Sequence, residues 1–493
     1  MQSKSHGPSL SSYQAIRILL TGYNPAMWVL WFLLMLADWP QFRGPNSSGI
    51  ADGDAAPPVK FGAAKWKIPL PAGHSSPAVF GERVFLTSFD GKKLELICLS
   101  AKTGAILWRH TAPAAQIEET HVVSNPATAS PALDKDRVYA YFSSYGVMAF
   151  DHAGAARWDT PLTMPKTHHG SGASPVMAGD LLIINHDAMQ GGYLLALDRA
   201  TGKEVWKTPY SGGRVESYST PIVWRDQLIL HRAGVVESYR VSDGVKMWSM
   251  AENTSGASTP VASADVVYVS SWNNLGEDDQ RPALPDFAAL VKKYDKNGDG
   301  AISESEFPDD LKFTSRPGLD AIPNSQNFVA FRTVDRNRDG VIQEAEWETF
   351  RNRVSAMATD HGLLAIRAEG GKPVLLWREN VSIPEVPSPL LYKGRLFLVR
   401  NGGVVTCLDA STGKVIYRAR VGAPGAYYAS PVEAGGWVYL ASSEGILTVI
   451  SAEGNELKVL ARNEVGEEMV ATPAIARRAI FVRTVKGLLA FEN

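Results

Sequence analysis

The sequence predicts an all-β fold, an eight-bladed β-propeller interrupted once by an inserted α-helical EF-hand pair. Three observations predict it. A Ser-Pro or Thr-Pro pair recurs eight times, at Ser76-Pro77, Ser130-Pro131, Ser174-Pro175, Thr220-Pro221, Thr259-Pro260, Ser388-Pro389, Ser430-Pro431 and Thr472-Pro473. Successive prolines lie 54, 44, 46, 39, 129, 42 and 42 residues apart, and self-similarity at this period marks a stacked repeat. The one long interval holds a normal unit plus about 85 residues, and two acidic twelve-residue loops fall inside it.

In chain order, the first element is an apolar run, Ala26 to Ala37, preceded by Lys4 and Arg17. Twelve residues fall short of the roughly 20 that a membrane-spanning helix needs, and they suit the apolar core of a secretory signal. We therefore expect residues 1–37 to be a signal peptide cleaved after Ala37 and the mature chain to begin DWPQFRGP. Export to the periplasm or the extracellular space follows, with no transmembrane span in the mature chain. The propeller is expected over 38–273 and 360–493, with the insertion over 274–359.

Each repeat has one internal grammar. After the proline comes an apolar strand, then an alternating strand such as Arg83 to Phe89, a third such as Tyr193 to Asp198, and a glycine turn leading to a fourth strand that ends on Trp. The Gly-to-Trp offset is four in Gly104/Trp108, Gly154/Trp158, Gly202/Trp206 and Gly244/Trp248. Four short strands in a unit of this length is the arithmetic of a propeller blade. The last unit stops after three strands, so Ala63 to Leu70 is expected to supply its fourth and leave no free sheet edge.

The insertion carries the strongest chemical signal. Calcium takes six to eight oxygens, and an EF-hand loop offers them from positions 1, 3, 5, 7, 9 and 12 around an invariant glycine at position 6. The first loop presents Asp295, Asn297, Asp299, Ala301 through its carbonyl, Ser303 and Glu306; the second presents Asp335, Asn337, Asp339, Val341, Gln343 and Glu346. Gly300 and Gly340 occupy position 6, and Ile302 and Ile342 occupy position 8, where paired loops form a strand contact. Helical spacing in the flanks (Phe287, Leu290, Val291 and Tyr294; Phe328, Phe331 and Val334; Trp347, Phe350 and Val354) predicts a helix before each loop and one after the second. Two calcium ions are the expected ligands.

Composition narrows the partners. The formal net charge is −2, which gives no electrostatic case for nucleic acid. From Glu277 to Phe350 the net charge is −7, so the insertion is acidic and the rest of the chain mildly basic. Only Cys98 and Cys407 are present, so disulfides do not hold the fold together, and no Cys-x-x-Cys-His sequence offers a haem attachment.

The phrases LSAKTGAILW (Leu99 to Trp108), LDRATGKEVW (Leu197 to Trp206) and LDASTGKVIY (Leu408 to Tyr417) resemble the pyrroloquinoline quinone (PQQ) repeat. The resemblance implies that each Trp docks one blade on the next. It also implies two functional classes. Quinoprotein alcohol dehydrogenases hold the quinone and a calcium ion on the propeller axis, whereas the propeller lipoprotein of outer-membrane barrel assembly is a scaffold. This sequence has no vicinal cysteine pair of the kind the dehydrogenases set against the quinone, which favours the scaffold.

A site in the propeller would lie where the segments before each innermost strand converge on the axis. Those segments place Glu119, His121, Asn125, His168, His169, Arg214 and Glu216 there, with Tyr427 from blade seven. Of these, His121, His168, His169, Arg214 and Glu216 are the candidates for holding a cofactor, since imidazoles and carboxylates suit ligation and acid–base work. Asn185, His186 and Asp187 form a second polar cluster. No residue is assigned as catalytic. The sequence reading is thus an exported calcium-binding propeller acting as a binding scaffold with an unidentified protein partner; the alternative is a PQQ-dependent oxidoreductase.

Overall fold

The computed structural model describes residues 38–51, 56–211, 217–252, 256–272, 283–313, 328–356 and 361–492 of the 493-residue chain. Residues 38–493 form one compact unit; the predicted signal peptide lies outside the described residues. Eight four-stranded antiparallel sheets make the blades. Blade one is typical, with strands Ala78–Phe80, Arg83–Phe89, Leu94–Ser100 and Ile106–Thr111 in sequence order from the axis outward.

Burial follows radius. The second and third strands are buried at nearly every position because neighbouring blades cover both their faces, whereas the fourth strand, such as Ile106–Thr111, alternates half-buried with exposed. The apolar second and third strands and the alternating fourth therefore report distance from the axis.

The repeated Gly and Trp meet across blade boundaries. Trp66, Trp108, Trp158, Trp206 and Trp377 each donate their indole N–H to a carbonyl in the following blade, at 3.0 to 3.2 Å. The ring then covers that blade's turn glycine. A Cβ on Gly104, Gly154, Gly202, Gly244 or Gly413 would lie 2.4 to 2.9 Å from the docking indole, and all five have φ between 69° and 96°. Glycine is required there twice over, by sterics and by backbone conformation. Trp248 departs from the pattern and bonds Gln227 of its own blade; in blade five the third and fourth strands are joined by a tight Gly370-Gly371 turn that no indole covers.

The Ser/Thr-Pro repeat builds a second device, a ring of hydrogen bonds around the axis. The backbone N–H of Ser76 donates to the hydroxyl of Ser130, Ser130 to Ser174, Ser174 to Thr220, and Thr220 to Thr259, at 2.8 to 3.1 Å. Thr259 continues to Ser388, Ser388 to Ser430, and Ser430 to Thr472, at 2.9 to 3.0 Å. Each unit's first residue thus satisfies its neighbour's buried amide, which explains why the hydroxyl is kept.

The ring closes through Trp66–Pro69, which pairs antiparallel with Gly487–Glu492 as the fourth strand of blade eight. Residues 38–51 do something the sequence does not announce. They cross the axis and touch the innermost strands of six blades: Trp39 bridges Val79, the Pro40 carbonyl accepts from Leu133, Gln41 accepts from Met177, Asn46 exchanges two bonds with Val223, Arg43 donates to the Pro389 carbonyl, and Ile50 bridges Glu433.

The insertion leaves blade five after its second strand, Val267–Ser271, and the chain re-enters as the third, Gly362–Glu369. It contains α1 (Phe287–Tyr294), α2 (Phe331–Val334) and α3 (Glu344–Ala356) around its own core of Leu290, Ile302, Val334, Ile342, Trp347 and Phe350. One helical expectation fails: Phe328 lies ahead of α2 and bridges Lys312 in extended form. Helical spacing at three positions is weak evidence when the helix is a single turn.

Truncating Trp206, which is 8% exposed, leaves a cavity between blades three and four. Trp206→Ala should lower stability by roughly 3 to 5 kcal/mol in denaturant unfolding. Gly244→Ala, which forces a methyl into the same indole, should lower it by about 1 to 3 kcal/mol. Unchanged midpoints for both would show that this contact does not hold the blades together.

Candidate functional site

The two acidic twelve-residue loops are formed and coupled. Ile302 pairs with Ile342 and Ser303 with Val341, and both isoleucines are fully buried between the loops. In the first loop the Asp295 carboxylate accepts from Gly298 N–H (2.6 Å) and Gly300 N–H (3.0 Å), and Asp299 accepts from Ala301 N–H (2.9 Å). Glu306 folds back over the loop and accepts from Lys296 N–H, Asn297 N–H, Ser303 N–H and the Ser303 hydroxyl, at 2.6 to 3.1 Å. Those bonds, the Ser303 hydroxyl first, hold its carboxyl down to about 2.

The second loop repeats this frame. Asp335 accepts from Arg338 N–H (2.7 Å) and Gly340 N–H (3.2 Å), and Glu346 accepts from Arg336, Asn337 and Gln343 N–H at 3.2 to 3.4 Å. Its carboxylate is held less tightly than that of Glu306. Oxygens of Asp335, Asp339 and Glu346 lie within 4.8 Å of one another, the only such group of three acidic, imidazole or thiol ligands among the described residues. Turn positions 6, Gly300 and Gly340, have φ of 79° and 88°, the left-handed conformation that aims the backbone around an ion. The donor set, all oxygen and rich in carboxylate, fits a hard divalent cation such as calcium.

At the propeller mouth the structure brings together only part of the predicted set. The rings of His121 and His169 stand 5.0 Å apart, the His121 N–H donates to the His169 carbonyl (3.3 Å), and His169 Nδ1 meets the Tyr218 hydroxyl at 2.9 Å. His168 is an exposed neighbour, and Glu119 is exposed. Arg214 and Glu216 lie outside the described residues. Asn125 caps its own turn, accepting from Ala127 N–H, and Tyr427 does not gather at the axis: it is 1% exposed, packed between blades six and seven, and donates to the Ala423 carbonyl.

The second cluster is spent on structure. Asn185 bonds Ser219 and Tyr210, and His186 meets the Tyr141 hydroxyl at 2.9 Å. Asp187 pairs with Arg232 (3.0 Å), which also reaches Glu237 (3.3 Å), itself paired with Lys246 (2.6 Å). Two cations and two anions neutralise one another in that wall. Burial opposes the charge on Arg232, yet the bond to Asp187 leaves its pKa raised.

Sequence reading missed Glu118 and Tyr218. Glu118 is buried and accepts from the hydroxyls of Ser143 and Ser171 and from Ser171 N–H; burial pushes its carboxyl up despite those bonds. Adjacent Glu119 has the same charge, so only the course of the loop after blade one distinguishes the buried acid from the exposed one. Beside them Val122 is 93% exposed at the tip of a loop. Cys98 and Cys407 are buried at equivalent third-strand positions, and burial pushes the Cys98 thiol up to about 12.

The family model described as outer membrane protein assembly factor BamB, a PQQ-type repeat, matches residues 57–281 and 339–493, and an EF-hand model matches 288–308. The second PQQ-type match starts inside the second acidic loop, whereas the blade itself resumes at Gly362. A polyvinylalcohol dehydrogenase of Pseudomonas sp is 34% identical over 162 residues, and one from Sphingopyxis sp. (strain 113P3) is 28% identical over 159 residues. Each match covers 29% of this chain but only 24% and 23% of those proteins' own length. Among solved structures, BamB from Moraxella catarrhalis superposes with TM-score 0.53 at 12% identity, over 87% of this chain and 96% of its own. A europium-containing methanol dehydrogenase superposes with TM-score 0.54 at 12% identity, over 92% and 90%. At such identities the likeness is one of fold.

Three imidazoles, those of His74, His186 and His231, are held down to about 4, in each case first by burial. Unfolding returns them to about 6.5, so the unfolded chain binds more protons between those values. The stability they confer is complete above pH 6.5 and is lost as pH falls toward 4. Urea midpoints should drop over that window, and His231→Gln should remove about one proton of slope, about 1.4 kcal/mol per pH unit. A variant with the wild-type slope would contradict the buried neutral state of His231.

Proposed function

Because the chain belongs to the PQQ-type repeat family described as outer membrane protein assembly factor BamB, we propose that it is a calcium-binding propeller scaffold of the periplasm or extracellular space. One observation carries the calcium half of this reading, the convergence of Asp335, Asp339 and Glu346 in a loop strand-paired to a second loop of the same design. Without a cation the clustered carboxylates repel one another, and a divalent ion would draw Asp295, Asp299 and Glu306 together as well. Exported proteins meet calcium at concentrations that fill even sites in the roughly 0.1 to 1 mM class. The closed ring offers rigid, wide faces, and the exposed Val122 and Val123 beside the His121–His169 pair give one of them an apolar contact point for a protein partner.

The second reading, a PQQ-dependent oxidoreductase acting on an alcohol, is favoured by the 34% identity with polyvinylalcohol dehydrogenase over part of the chain. Among the described residues at the mouth, no three acidic, imidazole or thiol groups bring their ligand atoms within 4.8 Å of one another. Visible absorption changes with dye-linked alcohol oxidation after adding the quinone and calcium would establish this reading in place of the scaffold.

Calorimetric titration should detect calcium binding to the wild-type protein. Glu306→Gln with Glu346→Gln should abolish most of that heat while retaining the β-sheet circular dichroism of the propeller. At calcium 100-fold above its Kd, each site should stabilise the insertion by about 2.7 kcal/mol and leave the blades almost untouched. Absence of binding heat in the wild type would overturn the assignment.

A further inference from the structure

Among the described residues only His121, His168 and His169 are exposed imidazoles, and all three belong to two adjacent loops of the mouth. His121 lies in the connection from blade one to blade two, His168 and His169 in that from blade two to blade three. The other described histidines are buried or half-buried.

The two loops are tied together by contacts that bracket the imidazoles. The His121 N–H donates to the His169 carbonyl at 3.3 Å, so the backbone joins the two residues directly. Gly170, which follows His169, has φ of 91°, and a Cβ there would lie 2.6 Å from the methyl carbon of Thr120, which precedes His121. Ser171 donates its N–H and its hydroxyl to the buried carboxylate of Glu118, at 3.2 and 3.3 Å, and the Ser143 hydroxyl donates to the same group. The Glu118 N–H in turn donates to the Ser144 hydroxyl at 3.0 Å. A buried acid is thus spent on fixing two exposed loops to each other, and a pair of ligands on separate loops needs such support.

The ring centres of His121 and His169 stand 5.0 Å apart, with their planes inclined at 55°. With a metal–nitrogen bond of about 2.1 Å and about 1.1 Å from ring nitrogen to ring centre, two imidazoles on one tetrahedral or square-planar ion hold their centres roughly 4.5 to 5.2 Å apart. The observed separation falls in that range. His169 Nδ1 meets the Tyr218 hydroxyl at 2.9 Å, the kind of outer-shell bond that orients a ligating ring and directs ligation to Nε2. His121 Nδ1 meets the Val123 N–H at 3.4 Å, too long to fix that ring's tautomer.

We propose that His121 and His169 form a site for a borderline transition-metal ion, Zn2+ or Cu2+, that clips the two loops together at the mouth, with solvent completing its coordination shell. Imidazole nitrogen suits these ions, whereas calcium takes oxygen, so the site is chemically distinct from the acidic loops of the insertion and independent of any quinone.

The test is calorimetric titration of zinc into the tag-free full chain in a non-coordinating buffer, with calcium in excess so that the oxygen-donor loops do not compete. A single ion should bind. His121→Ala and His169→Ala, both at exposed positions, should each weaken binding by more than about 100-fold, since loss of an outer-shell partner alone costs about 10- to 100-fold. Their circular dichroism and metal-free thermal midpoints should match the wild type, which separates loss of the site from loss of the fold. Copper in place of zinc should give an electron paramagnetic resonance signal split by imidazole nitrogen, and each substitution should remove that splitting. A wild-type protein that binds neither ion, a copper signal from oxygen donors alone, or a zinc affinity unchanged in either variant would overturn the proposal.

Discussion

Everything in this molecule depends on closing a ring from eight sheets that cannot each bury their own faces. A lone blade exposes two apolar faces, and only a neighbour on each side covers them. Closure is made by the antiparallel pairing of Trp66–Pro69 with Gly487–Glu492, residues about 420 positions apart. From that constraint follow the two inter-blade devices: indoles over glycines at the outer radius, and hydroxyl-to-amide bonds at the inner radius. The first resists slippage where blades splay apart, and the second satisfies amides in a space too narrow for side chains to reach otherwise.

The fold was legible because repetition multiplies a weak local signal. A single Ser-Pro pair or a single Gly-x-x-x-Trp says little, but eight copies at near-constant spacing leave one architecture. The same logic located the extra segment, since a 129-residue gap in a period near 42 can only be an insertion. The acidic loops of the insertion were legible for a different reason: every candidate ligand sits within twelve consecutive residues, so spacing in sequence is spacing in space.

The mouth was legible only in outline. Its residues come from different blades, and whether a polar side chain turns inward depends on the course of a loop, which buries Glu118 and leaves the next residue, Glu119, exposed. His121 and His169 do meet, but Tyr427, chosen by the same reasoning, is sunk between blades six and seven. The Asp187–Arg232–Glu237–Lys246 network shows why charge-rich loops mislead: alternating signs at this packing density neutralise one another and become part of the wall. The axial course of residues 38–51 was invisible because its bonds are mostly to backbone, which carries no sequence signature.

That axial course has a kinetic meaning. Residues 38–51 make their contacts on strands as late as Val432–Ala434, and the closing strand waits for Gly487–Glu492. The earliest part of the folded chain therefore lacks some of its partners until late in the chain, and Trp66–Pro69 lacks its only strand partner until the last residues have been made. Apart from blade five, whose second and third strands pair across the insertion, blades one to seven have only local pairings to form and can assemble in order as the chain lengthens, whereas these two closures span nearly the whole ring. An unclosed intermediate presents Leu94–Ser100-type apolar faces and an open sheet edge at each end, so the interval before closure is when the chain is most prone to associate with other copies of itself.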